Sequence, residues 1–415
     1  MTRAIDVTSA HAGEVFDRRT LYRLPWSKVD TAGGWVEVTD ACDFRCPGCY
    51  RHRLEGHRSL EDVQEEAREI ARLTNCDRIA IAGGEPLLWP HTVDLVRFID
   101  GMGLKAVLLT HGEHLSPDLA RELAAAGLAK YHFHVDSGMQ RPGWENCTET
   151  EMNELRQRFA DLVFEVGGVQ CGFNITIFRR TLPELPSIVD WCRANLDRVQ
   201  HVSLIAFRSI PIGDGWRYRC GDRWIDASRF QHSTQAIDEL SVTTDEMHAV
   251  LRDHEPGYRA CAYLSGTAAP ETSKFLIAVR VGSARELYGY LGPRTLELLQ
   301  STHHAVKGRY PAFLRNPRVG KKVFLMSLVD RSVRTAAARY AAACARNPVR
   351  LGEAIFAQSI SLQQPNEVLD GAVNLCDGCL NLMLWKGRLI PSCRLDEYRI
   401  FGDEVVPVPV TGAGP

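Results

Sequence analysis

The chain of 415 residues has no run of about 18 or more apolar residues, so no segment is expected to cross a bilayer as a helix. Its start, Met1-Thr2-Arg3-Ala4-Ile5-Asp6, lacks the apolar h-region of a secretory signal. Net charge is nearly absent, with 49 Lys and Arg against 51 Asp and Glu. Bulk attraction to a polyanion is thereby excluded. Nucleic acid is not an expected partner either, because neither an aromatic stacking pattern nor a known binding module is visible. No leader-peptide-binding domain is apparent before residue 30. Cysteine, by contrast, is plentiful and odd in number, at thirteen. Without an export signal, that favours thiolate ligands and free thiols over a disulfide framework and places the chain in the cytoplasm.

Three of the cysteines fall within one short run. Cys42, Cys46 and Cys49 have the spacing C-x3-C-x2-C. Three thiolates so close together can wrap one face of a [4Fe–4S] cube, which normally takes four cysteines, and one iron is then left for another ligand. Two alternatives stand beside this. Zinc sites use cysteine too, usually as C-x2-C pairs. A disulfide cluster would need an oxidising compartment.

From residue 35 to about 210 the pattern alternates strand and helix. Strands are expected at Trp35–Thr39, Arg78–Ala82, Lys105–Leu109, Tyr131–Val135, Phe173–Ile177 and His201–Ile205. Between them, Ser59 is placed to cap a helix with Asp62 as capping-box partner. Further helices are expected over Thr92–Met102, from Ser116-Pro117 to Gly127, near Glu149–Leu162 and near Leu185–Leu196. Six such units imply a parallel sheet with helices outside. The cysteine run, Gly83-Gly84, Thr110-His111-Gly112 and Asp136-Ser137 all fall at C-terminal strand ends, where parallel sheets bind ligands.

The cysteine run, Gly83-Gly84-Glu85-Pro86 after the second strand and Thr110-His111-Gly112 after the third together resemble the radical S-adenosylmethionine (radical SAM) superfamily. His111 stands where many members carry Asn. The resemblance covers roughly residues 30–210 and implies a partial (βα)6 barrel. It implies that Cys42, Cys46 and Cys49 ligate three irons of a [4Fe–4S] cluster, whose fourth iron takes the methionine amino and carboxylate groups of SAM. One-electron cleavage of SAM then gives a 5′-deoxyadenosyl radical that abstracts hydrogen from substrate. Gly83, Gly84 and Glu85 are assigned to the methionine amino group, Tyr50 to the adenine, and Thr110, Asp136, Ser137 and Asn174 to further SAM contacts. Ordinary turn formation, packing and hydrogen bonding are the alternatives for these residues. His132 and His134 share one strand face and either line the barrel or are satisfied core histidines.

A second triplet, Cys376, Cys379 and Cys393, has the spacing C-x2-C-x13-C, with a turn at Lys386-Gly387 between short strands. It resembles the twitch or SPASM extensions that carry an auxiliary [4Fe–4S] cluster, in particular that of the enzyme rearranging GTP for the molybdenum cofactor. The Gly-Gly-Arg tail of that enzyme has no counterpart in Thr411-Gly412-Ala413-Gly414-Pro415, so GTP cyclisation is not expected. Cys344, Cys261 and Cys220 are candidates for a fourth ligand, and a zinc site is the alternative for the triplet. Cys76, Cys171 and Cys192 are expected to be buried small hydrophobes.

Four divisions follow: an N-terminal extension (1–30), the partial barrel (31–210), a mainly helical basic insertion (211–365) and a small cysteine-rich auxiliary-cluster domain (366–415). Between His303 and Arg350 the insertion has eleven Lys or Arg and one acid, Asp330, with apolar residues interspersed. Such a segment suits an anionic lipid surface, a phosphorylated or carboxylated substrate, or a solvated face. The expectation is a cytoplasmic α/β radical SAM enzyme, with peripheral membrane contact as one use of the basic stretch. It abstracts hydrogen from an unactivated C–H bond of an anionic small molecule or lipid, and draws electrons from a flavodoxin or ferredoxin. A peptide-modifying maturase and a non-catalytic iron–sulfur carrier are the alternatives.

Overall fold

A computed structural model of the chain describes residues 17–46, 49, 51, 56–207, 210–211, 215–230, 233–234, 242–369 and 372–410. Tyr50 lies outside the described residues.

Six parallel strands form the barrel wall: β1 (Gly33–Thr39), β2 (Arg78–Gly83), β3 (Lys105–Thr110), β4 (Leu128–His134), β5 (Gln170–Ile177) and β6 (His201–Ala206). They lie side by side in chain order, each joined to the next by a helix. The helices are α1 (Leu60–Thr74), α2 (Thr92–Gly101), α3 (Pro117–Ala125), α4 (Glu149–Val166) and α5 (Leu185–Ala194). Their starts follow local chemistry. The Ser59 side chain accepts from the Asp62 N–H, which is the serine half of the expected capping box. Ser116 caps α3 with Pro117 in its first turn, and Gly127 closes the unit at φ +97°. Thr148 and Glu151 form a complete capping box on α4. The apolar faces of these helices meet the outer face of the sheet in one core that includes Val36, Ile70, Ile81, Leu108, Phe133 and Phe173.

The sheet extends beyond both edges of the barrel. On the β6 side come β10 (Phe356–Gln363), parallel to β6, then β8 (Ser273–Gly282), antiparallel to β10, and β7 (Ala262–Ser265), antiparallel to β8 and parallel to the edge pair Tyr22–Arg23. β9 (Leu287–Tyr290) also pairs with β8. On the β1 side, β11 (Leu382–Trp385) runs parallel to β1 and forms a hairpin with β12 (Arg388–Pro391). Lys386 and Gly387 supply the positive φ of that turn, as its sequence suggests.

The insertion is therefore less helical than its sequence pattern implies. Residues 286–291 and 356–362, expected within a helical stretch, supply β9 and β10 instead. Their apolar side chains suit either element, and pairing across β8 decides the outcome. The insertion also holds the helices α6 (Thr244–His254), α7 (Pro293–Lys307) and α8 (Arg331–Arg346), a 3-10 helix at Lys321–Leu328, and a hairpin of Trp216–Cys220 with Arg223–Ile225. A last helix, α9 (Leu395–Phe401), follows β12. Among the described residues, no helix is long and apolar enough to cross a membrane.

Candidate functional site: two cysteine triplets on one cavity

The loop after β1 carries Cys42, Cys46 and Cys49, and all three line a cavity of about 1170 Å³ inside the barrel. The loop is held from below by Gly83 and Gly84. Gly84 N–H donates to the Thr39 carbonyl at 2.7 Å, and Glu85 N–H to the Ala41 carbonyl at 2.8 Å. A Cβ at Gly83 would stand 2.3 Å from the Thr39 carbonyl oxygen, and one at Gly84 2.1 Å from that of Ala41. Gly83 also has φ +138°, so the close approach and the backbone angle both demand glycine there.

Glu85 ties the three motifs together. Its buried carboxylate accepts from Thr110 Oγ1 at 2.6 Å, from His111 N–H at 2.8 Å and from Leu87 N–H at 2.9 Å. Burial pushes its pKa up against these hydrogen bonds. His111 stacks on Phe44 with ring centroids 4.0 Å apart, and its Nε2 lies 2.9 Å from Asp43 Oδ1. His114 meets the other Asp43 oxygen at 2.9 Å. His111 thus fastens the cysteine loop to the end of β3. Burial pulls its pKa down to about 4, so the ring is neutral at pH 7. The grip of Asp43, Phe44 and His114 on this loop was not foreseen from sequence. The visible signal was the clustering of His111 and His114 after the third strand.

The remaining expected SAM contacts separate. Thr110, Asp136 and Asn174 line the cavity, whereas Ser137 does not. Ser137 N–H instead donates to the buried Glu149 at 2.7 Å, a structural contact. Asp136 is buried, and burial would raise its pKa. His134 at 2.7 Å and the Thr176 N–H at 2.9 Å outweigh that and hold it below the usual carboxylate range. Asn174 Oδ1 lies 3.2 Å from His132 Nδ1. Both His132 and His134 line the cavity.

Cys376, Cys379 and Cys393 line the same cavity from its other end. Asn381, two residues past Cys379, accepts from the Arg78 guanidinium at 2.5 Å, and Arg78 is the first residue of β2. Thr31 Oγ1, just before β1, donates to the Cys379 carbonyl at 2.8 Å. The first triplet therefore sits beyond the C-terminal strand ends and the second at the N-terminal ends, about a strand length apart, on the order of 17 Å. Burial, followed by the neighbouring Cys393 sulfur, raises the Cys376 thiol to about 12 and lifts Cys379 as well. Burial raises Cys42 to about 11. Such thiols ionise at neutral pH when a metal compensates the charge. Cys220, Cys261 and Cys344 are buried and do not line the cavity, although Cys376 packs against the apolar cluster that holds Cys261. Cys76, Cys171 and Cys192 are buried in the core as expected.

Charge along the cavity is polarised. Its only lining carboxylates among the described residues, Glu85 and Asp136, stand at the first triplet's end. Arg78 and Lys130, beside the rings of His132 and His201, face it towards the second, while Arg51 lines it near the first. Lys130 is buried with its Nζ 3.6 Å from the Phe313 ring centre. Burial, and then Arg78 and Lys105 nearby, pull its pKa well down. His132 and His201, stacked at 5.1 Å, are lowered first by burial and also by Lys130 and Arg78.

Residues 36–192 match the sequence profile described as the radical SAM superfamily. Among curated proteins, the chain is 25% identical over 185 residues to a GTP 3′,8-cyclase of Marinobacter nauticus, covering 43% of this chain and 54% of that one. It is 26% identical over 191 residues to an AdoMet-dependent heme synthase of Methanosarcina barkeri, covering 43% and 51%. The chain spans about half the length of such relatives. A solved structure of Streptococcus suis SuiB bound to S-adenosylmethionine overlaps with a TM-score of 0.40 at 12% identity, over 54% of this chain and 47% of that one.

Proposed function

Starting from a chain whose residues 36–192 form a radical SAM domain, we propose that it is an enzyme whose cofactor sits on Cys42, Cys46 and Cys49 and whose substrate lies in the cavity between the two cysteine triplets. The observation that carries this reading is that both triplets line one cavity. The residues fit the cofactor. Three thiols converge at a cavity edge, and Gly83 and Gly84 leave no room for a Cβ where the loop turns. When bound there, a [4Fe–4S] cluster with SAM supplies a 5′-deoxyadenosyl radical able to take a hydrogen atom from an unactivated C–H bond.

The chain's own groups orient and enclose. Glu85 fixes the mutual position of the three motifs, and the Gly83 and Gly84 carbonyls are offered to the methionine ammonium. Asp136, held ionised beside His134, and Asn174 are offered to the rest of SAM. Cys376, Cys379 and Cys393 suit a second [4Fe–4S] cluster. The cationic end formed by Arg78 and Lys130 suits a phosphate or carboxylate of the substrate. The opposite wall, including Leu264, Phe275, Ile277 and Leu296, suits an apolar part. An anionic amphiphile combines these features. A flavodoxin or ferredoxin is the fitting electron source.

Anaerobic reconstitution with iron, sulfide, dithionite and SAM tests the reading. Formation of 5′-deoxyadenosine is expected, together with its loss in Cys46→Ala. If the reconstituted protein forms none and its spectrum ignores SAM, a carrier function replaces the enzyme.

A further inference from the structure

The basic stretch of the insertion borders the cavity through Arg315, Arg318 and Lys322 and also builds an exposed outer face. The 3-10 helix Lys321–Leu328 has three residues per turn, so Lys322, Leu325 and Leu328 fall on one stripe. Leu325 is 69% exposed and Leu328 81%. Val323, Phe324 and Met326 turn inward. Val323 and Met326 line the cavity, and Phe324 stacks on Tyr340 at 4.9 Å. Lys321 donates to the Leu351 carbonyl, which brings a turn with Val349 and Leu351, 73% and 56% exposed, alongside. Arg334 of α8 donates to the Ser327 carbonyl at 3.2 Å, so α8 borders the same face.

The charges of this face lack local compensation. Lys321, Lys322, Arg331, Arg334, Arg339 and Arg346 have no ion pair among the described residues. The one acid of the stretch, Asp330, is buried. It caps α8 through Ser332 N–H at 2.9 Å and accepts from Thr295 Oγ1 at 2.7 Å. Exposed aliphatic side chains among unpaired cations are the pattern of a surface that enters the headgroup layer of an anionic bilayer. A nucleic acid would use the cations and leave four aliphatic side chains in water.

We propose that the face built by Lys321–Leu328, α8 and the Val349–Leu351 turn docks on an anionic lipid bilayer. The inner side of the same 3-10 helix is cavity wall, so docking sets one wall of the cavity against the membrane. The proposal is independent of the radical chemistry, because vesicle binding is read without SAM or turnover.

The test is cosedimentation of the full-length, anaerobically reconstituted protein with two kinds of vesicle. One is phosphatidylcholine alone and the other contains about 30% phosphatidylglycerol, each at about 0.05 M and 0.5 M salt. Binding at least about tenfold tighter to the anionic vesicles is expected, weakening at high salt. The Leu325→Asp/Leu328→Asp double variant should lose about tenfold or more in affinity, and Lys321→Glu/Lys322→Glu likewise. Unchanged circular dichroism and iron content show that each variant is folded. Leu325→Ser/Leu328→Ser carries the test if the aspartates disturb folding. Equal partition to both vesicle types, or full binding by the leucine variants, overturns the proposal. So does duplex DNA that displaces the protein from vesicles while binding the leucine variants as well as the parent, since the face would then be a polyanion site.

Discussion

Arg399 of α9 lies 3.2 Å from Glu37 of β1, and so joins the segment after Cys393 to the strand that leads into Cys42. The same guanidinium pairs with Asp40, two residues before Cys42. Glu37 also holds Arg51, two residues after Cys49. Both flanks of the first triplet are thus pinned from the helix that follows the second. Arg399→Ala removes one of the two cations paired with the buried Glu37, at a cost of about 1–3 kcal/mol. Anaerobic urea unfolding should show that loss, and iron retained after desalting should fall, with partial recovery in Arg399→Lys. Unchanged iron and unchanged stability would dissociate the two segments.

Thr110 offers a second test of how the motifs are joined. Its hydroxyl donates to Glu85 and accepts from the Gly112 N–H at 2.9 Å. Thr110→Val keeps the shape and removes both bonds, leaving a buried carboxylate one donor short. A loss of about 1–2 kcal/mol is expected. SAM affinity, measured by equilibrium dialysis on reconstituted protein, should fall several-fold. Parent-like affinity would separate Glu85 from SAM binding.

The barrel was legible because its strands are bounded by residues with local meaning. Ser59, Ser116-Pro117 and Gly127 mark helix ends by chemistry that needs no tertiary contact. Gly83 and Gly84 were legible for the same reason, since only glycine fits their backbone. The insertion was not legible, because residues 286–291 and 356–362 become strands through pairing with β8, which neighbours the first as a hairpin but lies far from the second in sequence. The Glu149 carboxylate that accepts from the Ser137 N–H comes from α4, a partner that local sequence does not reveal. The shared cavity of the two triplets was equally invisible, because it depends on β11 joining the sheet beside β1.

Iron content tests the second triplet. Cys376→Ala should lower reconstituted iron by about four atoms per chain if a [4Fe–4S] cluster sits there. Reductive formation of 5′-deoxyadenosine should persist, since the first triplet is intact. A fall in zinc with no change in iron would mark the triplet as a structural zinc site.

Acid should weaken the fold through buried histidines. His248 on α6 is buried against Tyr258, with ring centroids 5.4 Å apart. Burial, and then Arg252 and Arg259, pull its pKa to about 4. Above the ordinary value of about 6.5, folded and unfolded states both hold it neutral. Between there and about 4 only the unfolded chain takes up the proton, so stability falls as pH falls through this window. One such group contributes a slope of up to about 1.4 kcal/mol per pH unit. Urea unfolding at several pH values should show the decline, and His248→Phe should reduce its slope by as much as one proton. An unchanged slope would place the proton uptake elsewhere.

Lys130 sets function against stability. It is buried at the cationic end of the cavity, and the phenyl ring of Phe313 is the partner its ammonium meets. Burying an amino group without an anion opposes folding, so Lys130→Met should raise the thermal midpoint, by the equivalent of about 1 kcal/mol or more. If that amino group receives the anionic part of the substrate, the same variant should lose ligand response. Inorganic pyrophosphate should raise the midpoint of the parent protein and leave that of Lys130→Met nearly unmoved. SAM cleavage in the absence of substrate should continue at the parent rate, because Lys130 lies at the far end from Cys42. A less stable variant that still responds to pyrophosphate would make Lys130 a packing residue and move the anion site to Arg78 and its neighbours.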